Sequence, residues 1–229
     1  IKLFALVFVP YLLLSRRFRA LAWMAATFAL AFALGAAVFG PGSIPDWIGA
    51  LREVRWYSLD LNASVLGFLS RCLDPRSVYE SASTVSRWGT LPLPALVWPL
   101  YAASFAAIGA ITLFVTRKRP PARTFVALWL AALLMCPLGW AYYLWLPLAP
   151  ALAARAQLFS RWPGRMALVI LFWPTHLLQL GQPRPLATIT IGSSIFWATF
   201  LVWIACLLGP DRPGRTLPEA REVTESYIT

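Results

Sequence analysis

Asp60, Asn62, Ser64 and Arg71 stand together in DLNASVLGFLSR, residues 60–71, with Asp74, Arg76 and Glu80 close behind, in a chain that is apolar on both sides of them. A carboxylate takes up protons, a carboxamide or hydroxyl holds polar ligands, and a guanidinium holds anions. The same residues have an architectural use. Asp60 or Asn62 can cap a short helix to which Leu61, Val65, Leu66, Phe68 and Leu69 give an apolar side. Asn62-Ala63-Ser64 is also an N-glycosylation acceptor pattern, a reading that a bacterial source disfavours.

Other chemistry-bearing residues are sparse. Cys72, Cys136 and Cys206 are too scattered for a CxxC motif, and a single histidine makes a His-based metal site unsupported. No GxGxxG, Walker or GxSxG pattern occurs, so the sequence points to no metal and no cofactor and excludes the common soluble enzyme classes. His176, in FWPTHLLQL, falls within an apolar run. There an ionisable side chain marks either a functional position or a neutral imidazole bonded to a neighbouring helix.

The elements that must position these residues follow from composition. With 59% hydrophobic residues, 13% charged residues and a mean hydropathy of +0.67, the chain reads as an all-α, polytopic transmembrane helical bundle. Eighteen arginines against two lysines, with abundant Ala and Pro, suit a GC-rich bacterial gene. The net charge of +11 is not a nucleic-acid signature, because the cations sit in short clusters between apolar segments. Those clusters are RRFR (Arg16, Arg17, Arg19), RKRPPAR (Arg117, Lys118, Arg119, Arg123) and RAQLFSRWPGR (Arg155, Arg161, Arg165). The positive-inside rule makes them cytoplasmic loops at lipid headgroups.

Seven membrane segments are expected: 1–14, 20–39, 94–116, two limbs within 124–154, 166–180 and 189–208. The uncharged run 124–154 is too long for one span. Reading it as a hairpin that turns outside at CPLGW, broken by Pro137 and Gly139, keeps the third basic cluster and the tail arginines on the same side as the first two. Residues 1–208 then form the transmembrane domain, with an outer loop at 40–93, and residues 209–229 a polar cytoplasmic tail expected to be disordered. In the outer loop Arg52, Arg55, Arg71, Arg76 and Arg87 are balanced by Asp46, Glu53, Asp60, Asp74 and Glu80. Within it, SIPDWIGALREV places Trp47, Ile48, Leu51 and Val54 on one helical face, as an interfacial amphipathic helix requires. A chain that opens IKLFALVFVP, already inside an apolar run, is expected to continue a longer protein.

Three stretches in this order, IKLFALVFVPYLLLSRRFRAL, NASVLGFLSR and CPLGWAYYLWLPL, resemble the C-terminal portion of glycosyltransferase family 87. That family is similar to polyprenyl-phosphate-mannose-dependent α-mannosyltransferases of the C-type superfamily. The resemblance spans roughly residues 1–155, and the remainder matches only as generic spans. It implies a multi-pass hexosyltransferase of the inner (plasma) membrane. Such an enzyme moves a hexose, mannose by analogy, from a polyprenyl phosphate carrier to a glycan or glycolipid acceptor on the non-cytoplasmic side. The family's catalytic carboxylate belongs to an outer loop expected upstream of Ile1. On this reading Lys2, Arg55 and Arg71 meet the phosphate, Asp60, Asn62 and Ser64 bind the sugar or order the loop, and Trp140, Tyr142 and Tyr143 stack on a sugar ring or lipid headgroup. The alternative for Trp140, Tyr142, Tyr143 and Trp145 is an aromatic belt. The chain departs from the family in carrying Ala141 and Tyr142 where an acid and a histidine often follow the tryptophan. The competing class is a transporter or flippase component, against which stand the near absence of ionisable residues in the spans and of internal repeats.

Overall fold

The computed structural model describes residues 6–53, 56–74, 93–117, 119–153, 158–172 and 189–208. Among these, every regular element is helical. The α-helices are α1 (Phe8–Leu14), α2 (Phe18–Phe39), α3 (Ser43–Glu53), α4 (Val65–Leu73), α5 (Val97–Thr116), α6 (Pro121–Met135), α7 (Leu148–Ala153), α8 (Trp162–Phe172) and α9 (Ser194–Leu208). Short 3-10 segments occupy Trp56–Ser58, Pro94–Leu96, Ala141–Trp145 and Ile191–Ser193.

α2, and α5 and α9 with their leading 3-10 turns, are long and apolar enough to cross a bilayer, while α6 and α8 are shorter apolar helices. The seven spans expected from sequence are thus not all present as full-length helices among the described residues. After the turn at 136–140 the chain does reverse, yet its second limb is a 3-10 segment and the short α7. Pro147 and Pro150, which cannot donate backbone hydrogen bonds, bracket the start of α7. Helix α8 begins at Trp162 with Pro163 in its first turn, so Arg165 is helical rather than in a loop. The rest of the expected span at 166–180, His176 included, lies outside the described residues. The tail at 209–229 does so as well.

α6 is the central helix: Leu130, Ala131, Leu133 and Leu134 are at most 2% exposed, and it packs against α5 and α9. Phe196 and Trp203 of α9, Ile108 of α5, Val65 of α4 and Leu158 complete the core. α2 has no buried residue and packs against α1 and α3, the disposition of an apolar helix whose faces meet lipid. The expected amphipathic helix is present as α3, with the Trp47 ring edge-on to Phe32 of α2 at 6.4 Å.

Lipid chains solvate apolar side chains as well as other helices do, so close packing and interhelical hydrogen bonds must hold the bundle. At one end, the basic one, α9 terminates on arginines: Arg123 Nε donates to the Cys206 carbonyl at 2.5 Å and Arg119 Nη2 to the Leu207 carbonyl at 3.1 Å. These guanidiniums satisfy carbonyls that a helix C-terminus leaves without intrahelical partners. The turn between α1 and α2 closes with Arg17 N–H donating to the Leu12 carbonyl at 2.9 Å and Arg16 N–H to the Leu13 carbonyl at 3.0 Å. It places Arg16 at φ 54°, a left-handed position that glycine usually takes.

In mid-bundle, Trp203 Nε1 donates to Thr112 Oγ1 at 2.9 Å, joining α9 to α5. Thr112→Val keeps the shape and orphans the indole N–H. It is expected to cost about 0.6–1.7 kcal/mol, the range found for such bonds in membranes. Unfolding of the detergent-solubilised protein measures this, and an unchanged stability would remove the bond from the forces that join α5 to α9.

Candidate functional site

The opposite end of the bundle is built from the DLNASVLGFLSR segment and the CPLGW turn. Residues 61–63 and 139–141 run antiparallel and exchange backbone bonds, Ala63 N–H to the Gly139 carbonyl at 2.7 Å and Ala141 N–H to the Leu61 carbonyl at 2.9 Å, with Asn62 opposite Trp140. Two segments far apart in sequence are thereby clasped.

Asn62 is the pin of this clasp. It is fully buried, and its Nδ2 donates to the carbonyls of Tyr57 at 2.8 Å and Pro137 at 2.9 Å. Its Oδ1 accepts from Ser64 N–H at 3.1 Å. The Ser64 hydroxyl donates to the same Pro137 carbonyl at 3.1 Å and accepts from Gly67 N–H at 3.0 Å. Ser64 is therefore the cap of α4. Asp60 and Asn62, the expected caps, are otherwise engaged: Asp60 Oδ1 accepts from Leu61 N–H at 2.9 Å, and Asn62 faces the hairpin turn. A cap needs a free side-chain oxygen beside the first helical N–H groups, and here only Ser64 offers it.

Two glycines let the segments approach. A Cβ on Gly67 would lie 2.6 Å from the Tyr57 carbonyl oxygen and 2.8 Å from Asn62 Nδ2, and one on Gly139 would lie 2.1 Å from the Leu133 carbonyl oxygen. The apolar face of α4 docks on the start of α9, where Phe68 stacks on Phe196 at 4.4 Å. Leu61, expected on that face, precedes the helix and is exposed.

Arg71, in the last turn of α4, folds back beneath the clasp and is 6% exposed. One terminal nitrogen donates to the carbonyls of Leu59 at 2.6 Å and Asn62 at 3.2 Å, and Nε donates to Ser193 Oγ at 3.1 Å. All three partners are neutral. Nη2 is buried without a hydrogen-bond partner among the described residues. Burial brings the guanidinium down from its ordinary value to about 10, against the opposing pull of Cys72 and Asp60. Because the folded value lies below the unfolded one, burial costs stability at every pH below about 10, and the cost is relieved only as pH rises above that toward the unfolded value. Arg71 is a cation at neutral pH, and its contribution there does not vary. Burial likewise raises the Cys72 thiol, which the Arg71 charge partly offsets.

Beside the clasp, Trp140 and Tyr142 are stacked with centroids 6.3 Å apart and planes 9° apart, and Tyr143 meets Tyr142 at 4.4 Å. Tyr142 is 55% exposed, and the Tyr143 carbonyl accepts from Trp129 Nε1 at 3.2 Å. An apolar cavity of about 640 Å³ runs between α1, α5 and α6 and ends at Cys136 and Pro137, the turn that Asn62 and Ser64 hold. The Tyr101 hydroxyl, on its wall, donates to the Met135 carbonyl. The structure thus brings Asp60, Asn62, Ser64, Arg71, Trp140, Tyr142 and Tyr143 to one end. Lys2 and Arg55 lie outside the described residues. Tyr101 and Ser193 escaped sequence reasoning, and Pro137 was expected as a helix breaker but not as the acceptor for Asn62 and Ser64. The only signals for Tyr101 and Ser193 were an aromatic in an apolar run and a Gly-Ser-Ser ahead of a span.

An all-helical membrane protein with a hydrogen-bonded clasp over an apolar cavity is the class that fold and site define. The sequence matches the description of glycosyltransferase family 87 over residues 1–138, and the chain belongs to that family of membrane glycosyltransferases. The match covers the clasp segment 57–71 and ends within the hairpin turn. No curated protein and no solved structure shows a significant match to the chain.

Asn62→Asp is isosteric and sets a carboxylate against the Tyr57 and Pro137 carbonyls. It is expected to cost at least about 2–3 kcal/mol, the scale of leaving buried groups mispaired. Protonation restores one donor, so the buried carboxyl titrates above its unfolded value. The variant should be least destabilised at low pH and lose stability as pH rises through that elevated pKa. Thermal unfolding across pH checks both, and a variant as stable as the parent at neutral pH would show that Asn62 does not pin the clasp.

Proposed function

We propose that the chain contributes the donor site of a hexosyltransferase that takes its sugar, mannose by family analogy, from a polyprenyl phosphate and passes it to a glycan or glycolipid. The observation that carries the reading is the apolar cavity of about 640 Å³ ending at the turn pinned by Asn62 and Ser64. Its volume is that of a small-molecule site, roughly 300–1,000 Å³, and its walls suit an isoprenoid chain. The phosphate then lies at the clasp end. Arg71, a cation buried beneath the clasp on the Leu59 and Asn62 carbonyls and the Ser193 hydroxyl, stabilises charge on the phosphate through its field. Asp60, Asn62 and Ser64 order the loop, and the exposed Tyr142 with Trp140 is the aromatic surface against which a sugar or headgroup packs.

In the reaction, the acceptor hydroxyl oxygen bonds to the anomeric carbon while the bond from that carbon to the phosphate oxygen breaks. The polyprenyl phosphate leaves with the electron pair, and the hydroxyl proton passes to a base. Lys2 and Arg55 are additional candidates for the phosphate. The basic turns sit at the far end of the bundle from the clasp. By the positive-inside rule the clasp therefore faces the non-cytoplasmic side of the inner membrane.

Membranes carrying the full-length protein should transfer radiolabel from polyprenyl-phosphate-mannose to an endogenous glycan or glycolipid. Ala110→Phe, which fills the cavity from its exposed wall, should raise the KM for the donor about tenfold with a smaller effect on kcat, because it removes binding common to ground and transition states. Absence of transfer by folded, inserted protein would overturn the reading, and an unchanged KM would take the donor chain out of this cavity.

A further inference from the structure

A second cleft, of about 560 Å³, lies at the basic end of the bundle, where the α1–α2 turn meets the start of α6 and the returning limb at α7. Tyr11, Leu12, Ala122, Phe125 and Pro150 give it apolar walls, and Arg17 stands in its lining. Its volume falls in the range of small-molecule sites, roughly 300–1,000 Å³. The charge around it is of one sign. Arg16 and Arg19 flank Arg17, and Arg117, Arg119 and Arg123 occupy the neighbouring turn and the start of α6, whereas the sequence has no acid before Asp46 and none between Glu80 and Asp211. Arg119 and Arg123 are spoken for by the carbonyls that end α9. Arg16 and Arg17 are exposed. Arg16 moreover keeps a bulky cation at φ 54°, where glycine is the residue the backbone favours.

An apolar cleft with cations on its rim, set at the level of lipid headgroups, fits an amphiphile with an anionic head. We propose that this cleft seats one anionic glycerophospholipid of the surrounding leaflet, its phosphate on Arg16 and Arg17 and an acyl chain along Leu12 and Phe125. The polyprenyl phosphate donor shares the chemistry of an anionic head on an apolar chain. The site is assigned to the phospholipid because its rim lies at the basic end of the bundle, opposite the clasp where the donor phosphate is placed, although cleft and cavity share Leu128 in their walls. The assignment does not depend on the proposed transfer reaction.

The test is native mass spectrometry of the full-length protein in detergent, titrated separately with phosphatidylglycerol, phosphatidylethanolamine and polyprenyl phosphate. One phosphatidylglycerol should be retained in preference to phosphatidylethanolamine. Arg17→Gln and Arg16→Gly should each weaken it about fivefold, the effect of one basic residue at an anionic surface. Arg16→Gly also relieves the left-handed strain, so a loss of lipid in that variant is not a loss of fold. Ala122→Trp should block the cleft and abolish retention. Equal retention of the two phospholipids, or unchanged phosphatidylglycerol binding in both arginine variants, would overturn the proposal. Displacement of phosphatidylglycerol by an equal concentration of polyprenyl phosphate would overturn it too, by giving the cleft to the donor.

Discussion

The carboxamide of Asn62 is the interaction on which the rest of this end of the bundle depends. It donates to carbonyls from two segments that the chain brings together only after folding, and its oxygen orders the first turn of the helix that follows. An amide is suited to this position because it offers donors and an acceptor without charge. A carboxylate would offer no donor and an ammonium no acceptor. Fully buried beside the Pro137 turn, Asn62 fixes the height of α4, and α4 in turn sets Arg71 beneath the loop and Phe68 on Phe196.

The two ends of the bundle solve the same problem differently. In a bilayer, backbone groups that leave a helix must find partners within the protein. At the clasp end they pair with one another and with Asn62, Ser64 and Arg71. At the basic end Arg119 and Arg123 satisfy the last carbonyls of α9. Between the ends, contacts such as Trp203 with Thr112 supply direction where apolar surface alone supplies none. The consequence is a hydrogen-bonded frame at one end of the bundle and a cationic end opposite to it.

Much of this was legible in the sequence where the cause is local. The uncharged run at 20–39 became α2, the period of Trp47, Ile48 and Leu51 became α3, and Pro137 and Gly139 marked the chain reversal. Local pattern also misled. Asp60 and Asn62 look like caps for α4, yet Ser64 holds that position because the Asn62 amide is drawn to a carbonyl far along the chain. The second limb of the hairpin is apolar throughout, but it is short for a span and Pro147 and Pro150 divide it. Arg71 reads as one cation in a charge-balanced loop, and nothing in its neighbours shows that it is buried or that Ser193 receives it. Periodicity reports which face of an element is apolar and is blind to which distant carbonyl that element will meet.

The central claim is that the cavity between α1, α5 and α6 and the clasp at its end together hold a polyprenyl-linked donor. Photolabelling of membranes containing the full-length protein, using a polyprenyl phosphate sugar with a photoreactive group on its isoprenoid chain and sequencing of the labelled peptides, tests it most directly. Label concentrated on α5 and α6 around Phe105, Ala110 and Ala132 is the predicted result. Label spread over the lipid-facing surface of α2, with the cavity helices no more marked than the rest, would contradict the claim.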